Sequence, residues 1–304
     1  MTQILGKGIY LWVVPQILRG DPAKIANLLN ELQIERVEIK VAQAQYTYII
    51  PRWVHLTWGR NLKPEWLAEF RRHFKGEVWG WSFNIGYSPA AEGRKAAELV
   101  NELGLDGYGM DIEGTFERQP NAADRADQLM TAFRTDAPNI PVMWVSWPLF
   151  KSPYGSGGTW HNHQVAKRGM EYCQYGAPMV YWPKSGEYWV RFWLENSLKQ
   201  WRELVTDKPL IPVGRAYTGD GGIGKAEDIA LFDRLVRDKG LLGESWWVLR
   251  HAISKPDWKE AIRVIKPWEP ETPPPQVPVA VWRNGITTWA KKMGYDGPYP
   301  FVED

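Results

Sequence analysis

A single cysteine, Cys173, in 304 residues excludes an internal disulfide framework and any zinc site built on thiolates. The chain also has little net charge. Its 37 Lys and Arg stand against 35 Asp and Glu, a formal +2, which gives no sign of the basic patch that binds nucleic acid by releasing counterions. No uncharged apolar run approaches the roughly 18–20 residues of a membrane span. The opening MTQILGKGIYLWVV carries one lysine and no small-residue cleavage site, so it reads as a first strand rather than a secretory leader. Histidines number five, and the pair His161 and His163 with Glu171 fits no recognised metal spacing, so it reads as a polar loop and no metal is expected. A glycine fingerprint is missing after the first strand, so no nucleotide cofactor is expected either.

What the chain has in excess is tryptophan: 19, against 9 Phe and 13 Tyr. Each indole buries about 150–250 Å² wherever it packs, so core filling is one explanation. Stacking on flat, weakly polar ligands such as sugar rings is the other. Position along the chain separates them.

Period and punctuation give alternating strands and helices. Strands are expected at 8–14, 36–42, 78–85, 107–113, 140–147, 178–182, 210–217 and 245–250. Helices are expected at 21–32, 64–74, 89–103, 121–135, 187–204 and 225–239, with a poorer pattern at 160–175. Pro22 and Pro64 suit first helical turns, and Gly104 and Gly240 suit C-terminal caps. Eight such alternations over residues 1–268 predict a (β/α)₈ TIM barrel, with an open doubly wound sheet as the alternative. The proline-rich segment WEPETPPPQVP then predicts a stiff linker over 269–278. Residues 279–304 are too few for an independent core, and are expected to be a docking tail or the beginning of a further module.

The fourth strand carries the chemistry. In LGLDGYGMDIEGTFE, strand alternation puts Tyr108, Met110 and Ile112 on one face and Gly107, Gly109, Asp111 and Glu113 on the other. The apolar face belongs against the helices, so the two acids face the barrel axis, with Glu113 at the C-terminal end where barrel active sites are built. Two carboxylates this close repel when both are ionised, so one holds its proton more tightly, as a general acid requires. A salt bridge to Lys40 or Arg215 is the structural alternative.

DGYGMDIE resembles the DGxDxDxE signature of family 18 chitinases and related endo-N-acetylglucosaminidases, matching at Asp106, Gly107, Asp111 and Glu113 and departing at Gly109. PMVYW is similar to the sixth-strand MxYD of that family at Met179 and Tyr181, with Trp182 in place of the Asp. GESWW resembles the eighth strand that sets a tryptophan, here Trp247, beneath the sugar. VEIKVAQ and the short DIE are also similar to strands of family 25 muramidases, although GIYLWVV lacks the first-strand Asp of those enzymes.

The chitinase resemblance implies substrate-assisted hydrolysis, in which the sugar's acetamido oxygen attacks the anomeric carbon. It further implies that Glu113 protonates the leaving oxygen, Asp111 orients the acetamido group, Tyr181 donates a hydrogen bond to it, and Trp247 forms the floor. A hydrolase of non-acetylated glycans would need a second carboxylate, with Glu38, Asp220 or Glu244 in reach by strand-end position; Glu38 otherwise pairs with Lys40 or Arg215. A barrel that only binds glycan is the remaining reading. The substrate expected is a polysaccharide with N-acetylated sugars, and the linker resembles those of modular lysins, which implies a further cell-wall-binding module and leaves the compartment open between cytoplasm and release as a lysin.

Long connections follow the second and fifth strands. They place Trp53, Trp58, Trp147 and Trp160 without helical period, so these four, with Trp182 and Trp247, are expected around the barrel mouth. Asn84, Arg215 and Tyr217 complete the expected sugar contacts. Trp79, Trp81 and Trp144 lie on strands and are assigned to packing.

Overall fold

The computed structural model describes residues 5–154, 158–219, 222 and 224–268. Asp220, the linker 269–278 and residues 279–304 lie outside them. The described residues form a closed (β/α)₈ barrel, as the alternation of elements predicts. Its strands are β1 (Gly6–Leu11), β2 (Arg36–Gln43), β3 (Glu77–Asn84), β4 (Gly107–Ile112), β5 (Val142–Ser146), β6 (Tyr175–Val180), β7 (Val213–Arg215) and β8 (Gly243–Trp247). All eight run parallel in chain order, and closure comes from β1, which pairs Gly8 with Arg36 of β2 and Gly6 with Gly243 of β8. A two-residue strand, Tyr46–Thr47, folds back antiparallel on the end of β2.

Outside the barrel stand α1 (Pro22–Glu31), α2 (Pro64–His73), α3 (Pro89–Leu103), α4 (Ala122–Asp136), α5 (His163–Met170), α6 (Glu187–Leu204), α7 (Ala226–Asp238) and α8 (Pro256–Val264). Proline occupies the first turn of α1, α2, α3 and α8, where the missing N–H costs no intrahelical bond. The Asp21 side chain caps α1 by accepting from Lys24 N at 3.0 Å, and Gly104 ends α3 in the left-handed region at φ 57°, which glycine tolerates.

Strand alternation divides the core in two. One cluster, including Val37, Ile39, Tyr108, Met110, Ile112 and Trp144, fills the space between sheet and helices. The other, including Tyr10, Trp79, Trp81, Val145, Met179 and Tyr217, fills the barrel itself. Several indoles fit only because a glycine faces them. A Cβ at Gly107 would stand 2.2 Å from the Trp79 ring, and one at Gly169 would stand 2.2 Å from the Trp144 ring. Trp79 and Trp81, expected on one strand face as packing residues, do share a face, and that face points into the barrel.

Low in the barrel, Arg36 and Glu38 form an ion pair of 2.8 Å with neither side chain more than 1% exposed. Ser245 Oγ lies 2.7 Å from Arg36 Nη2 and donates to Glu38 Oε1 at 2.8 Å. A buried pair completed by further hydrogen bonds is the form in which charge survives in a core.

Gly107→Ala should therefore destabilise the fold by about 1–3 kcal/mol, because the interior cannot move Trp79 aside without strain. Gly158→Ala, with nothing near its Cβ direction, should change stability little. Equilibrium unfolding in denaturant checks both; equal effects would refute the packing account.

Candidate active site

The parity expected of the fourth strand holds in the structure. Tyr108, Met110 and Ile112 pack against the helices. Asp111, and Glu113 just past the strand end, line a cavity of about 390 Å³ at the C-terminal mouth. Aromatic walls come from Tyr10, Trp12, Tyr181, Tyr217 and Trp247. Tyr10 lies 5.4 Å from Trp247 and 5.8 Å from Trp81, ring centre to ring centre, and Trp81 meets Trp247 edge-on at 5.5 Å. These indoles form the floor. Asp106, the first residue of the motif, lies at the opposite end of the strand, where it accepts from Val78 N at 2.7 Å and meets Arg71 at 3.1 Å.

Burial on this aromatic floor decides the electrostatics. The Asp111 carboxyl is pushed well above the ordinary carboxylate range, first by desolvation, then by the neighbouring Glu113, with Lys40 opposing. Its Oδ1 is buried and has no hydrogen-bond partner among the described residues. The Lys40 ammonium is lowered to about 8 by desolvation, against the pull of Asp111 and Glu113. It sits 4.3 Å from the Tyr48 ring centre and 5.0 Å from that of Trp81, a cation held largely by π faces. A bulge in β2 between Lys40 and Ala42 shifts the register so that Gln43 pairs with Phe83, and Gln43 Oε1 accepts from Lys40 Nζ at 3.2 Å. The phenols of Tyr10 and Tyr181 are raised well above their ordinary value, chiefly by burial, so both remain neutral donors.

A second lobe of about 330 Å³ adjoins the first and shares Met179 and Tyr181 with it. Trp147, Trp160, Trp193 and Arg215 line it. Trp147 stacks on His161 at 4.1 Å, and His161 Nδ1 lies 3.1 Å from Glu117 Oε2.

Of the expected contacts, Tyr181, Tyr217, Trp247, Trp147, Trp160 and Arg215 line one lobe or the other. Four others do not. Trp182 is fully buried on the helix side, 5.4 Å from Phe232 of α7, because it alternates with the inward Tyr181. Asn84 is buried for the same reason of parity: it alternates with the inward Phe83 and bonds Ser82 and the Asp111 carbonyl. Trp53 is 87% exposed, and Trp58 packs over Gly20 and under Lys63; neither lines the cleft.

Glu38 faces inward as expected, but its partner is Arg36 rather than Lys40 or Arg215. It is level with Tyr10, Trp79 and Gly107, four residues short of Asp111. Glu244 faces the helices, accepting from Trp246 Nε1 at 3.1 Å. Tyr10, Trp12, Trp193 and His251 were not anticipated. The first two follow from the parity of GIYLW, in which Ile9 and Leu11 face the helices.

No family model and no curated protein matches the sequence. Solved structures do match in fold. A GH18 chitinase from Pseudoalteromonas aurantia is 14% identical with a TM-score of 0.61, covering 84% of this chain and 98% of that one. The catalytic domain of a hyperthermophilic chitinase from Pyrococcus furiosus is 12% identical with a TM-score of 0.56, covering 80% and 83%. An endo-beta-1,4-mannanase from Thermotoga petrophila is 11% identical with a TM-score of 0.57, covering 81% and 68%. At these identities the likeness shows a shared barrel.

The raised Asp111 carboxyl has a measurable sign. Its proton is held more tightly folded than unfolded, so the stability linked to it is fully present below the ordinary carboxylate range and is lost as pH rises toward the folded value. Asp111→Asn removes this loss. The melting temperature of the variant minus that of the native protein should grow between about pH 4 and about pH 8; a difference independent of pH would contradict the burial account.

Proposed function

We propose that the protein is a glycoside hydrolase acting on a polysaccharide with N-acetylated sugars, of the chitin or peptidoglycan kind. The observation that carries this reading is Asp111 beside Glu113 at an aromatic-walled mouth, with Oδ1 of Asp111 buried and without a partner among the described residues. Leaving a carboxylate oxygen so is expensive, and perturbed acids in a cleft mark sites of chemistry more often than of plain binding. This favours catalysis over a barrel that only holds glycan. The shared barrel of chitinases and a mannanase agrees with a glycosidase, and the acid pair rather than the barrel selects the substrate class.

In this reading the acetamido oxygen of the bound sugar attacks the anomeric carbon as the glycosidic C–O bond breaks. Glu113 gives its proton to the leaving oxygen. The Glu113 carboxylate then takes a proton from the water that opens the cyclic intermediate, which restores the acid. Asp111, which holds its proton, orients the acetamido group by hydrogen bonding. The neutral Tyr181 phenol donates to the acetamido oxygen, and Trp247 supports the ring. A route through a second carboxylate loses Glu38 to Arg36 and Glu244 to the helix layer, which leaves Asp220 as its remaining acid.

Assays on chitin oligosaccharides, peptidoglycan, deacetylated oligomers and mannan test the proposal. Cleavage should require the N-acetyl group, and Glu113→Gln should lower kcat by at least about 10²-fold while oligosaccharide binding persists. Turnover undiminished in Glu113→Gln, or equal on acetylated and deacetylated oligomers, would overturn it.

A further inference from the structure

Arg215, at the end of β7, is only 2% exposed and differs from the other buried arginine of the barrel interior. Arg36 has Glu38 at 2.8 Å; Arg215 has no carboxylate within ion-pair distance among the described residues. Its Nη1 donates to the carbonyls of Gly219 (2.8 Å) and Gly222 (3.3 Å). Its Nε is buried without a partner, and Nη2 makes no hydrogen bond among the described residues. The rings of Tyr217 and Tyr181, 4.5 and 5.9 Å from the guanidinium carbon, attract the cation without neutralising it. Charged side chains are rarely buried unless paired, and no carboxylate of the described residues supplies the counter-charge.

The place it would enter is the second lobe. Among the described residues no carboxylate lines that lobe, and Glu117, which meets the lining residue His161, is engaged by it. Two further donors on its walls, Trp147 Nε1 and Trp193 Nε1, are buried without partners. The lobe therefore has a cation and aromatic faces on its walls, and calls for negative charge in return. It joins the acid-bearing lobe through Tyr181, so a group seated there belongs to the sugar chain in the cleft.

We propose that the second lobe seats a carboxylate-bearing substituent of the glycan, with Arg215 as its charge partner. The inference rests on the glycosidase reading for its ligand and extends it from an N-acetylated chain to one that also carries acidic groups. An ether-linked lactyl carboxylate and a ring carboxylate of a uronic acid present the same chemistry.

The test compares short N-acetylated oligosaccharides bearing a lactyl group, the same compounds as methyl esters, and oligosaccharides with a uronic acid. Affinity is measured calorimetrically with Glu113→Gln, and kcat/KM with the native protein. The acid should bind about 10- to 100-fold more tightly than its ester, the range of a charge-assisted hydrogen bond, and Arg215→Met should abolish the difference; the lactyl and uronate arms identify the source of the carboxylate. Equal affinity for acid and ester, or a preference that survives Arg215→Met, would overturn the proposal. Should Arg215→Met fail to fold, the acid and ester comparison on the arginine-bearing protein decides alone. Preferential acid binding without hydrolysis would uphold this lobe and defeat the hydrolase reading; hydrolysis without acid preference would do the reverse.

Discussion

Eight parallel strands enclose a fixed volume, and this barrel gives much of it to indole rings seated against glycine. Trp79 lies on Gly107, and Trp81 passes Gly109 so closely that a Cβ there would stand 3.3 Å from the Trp81 Cβ. The consequence reaches the chemistry. Gly109 is where the chitinase-like pattern has its first interior Asp, and here Trp81 crowds the root of that side chain. The column of acids accordingly begins at Asp111, directly above the indoles. An acid on an aromatic floor, with one oxygen unpartnered, holds its proton.

The same constraint explains how charge is distributed around the site. Beneath the floor, Arg36 and Ser245 both bond the same oxygen of Glu38. At the floor, Lys40 is held by rings and by Gln43, close enough to Asp111 and Glu113 for each to raise its proton affinity while burial lowers it. Above, Arg215 has carbonyls and rings but no carboxylate among the described residues. Among the described residues, direct ion pairing thus falls from Arg36 to Lys40 and Arg215, and unpaired buried charge beside a cleft is where a ligand is expected.

Much of this was legible in the sequence where one rule governs. Alternation along LGLDGYGMDIE fixed which side chains of the fourth strand turn inward, and α3 and α6 begin and end where periodicity and proline placed them. Legibility failed where rules compete. The strand β6 begins at Tyr175, three residues before its expected start, because Gly176 and Pro178 weaken β propensity while the close fit of Gly176 to Trp201 and its bonds to Pro209 and Ile211 hold the strand. Trp182 and Asn84 have the chemistry of cleft residues, but their parity turns them away from the barrel axis. Trp53 and Trp58 showed that a loop following a strand end need not fold over the mouth. The unpaired state of Arg215 depends on which acids the fold brings near it, and no local pattern carries that.

Substrate-assisted hydrolysis requires that an N-acetyl group meet the buried acid. A crystal structure of Glu113→Gln with a bound N-acetylglucosamine oligomer would show it directly. The acetamido group should lie within hydrogen-bond reach of Asp111 and Tyr181, with the sugar ring over Trp247. A sugar bound with its acetamido group turned to solvent, or seated away from Asp111 altogether, would contradict it.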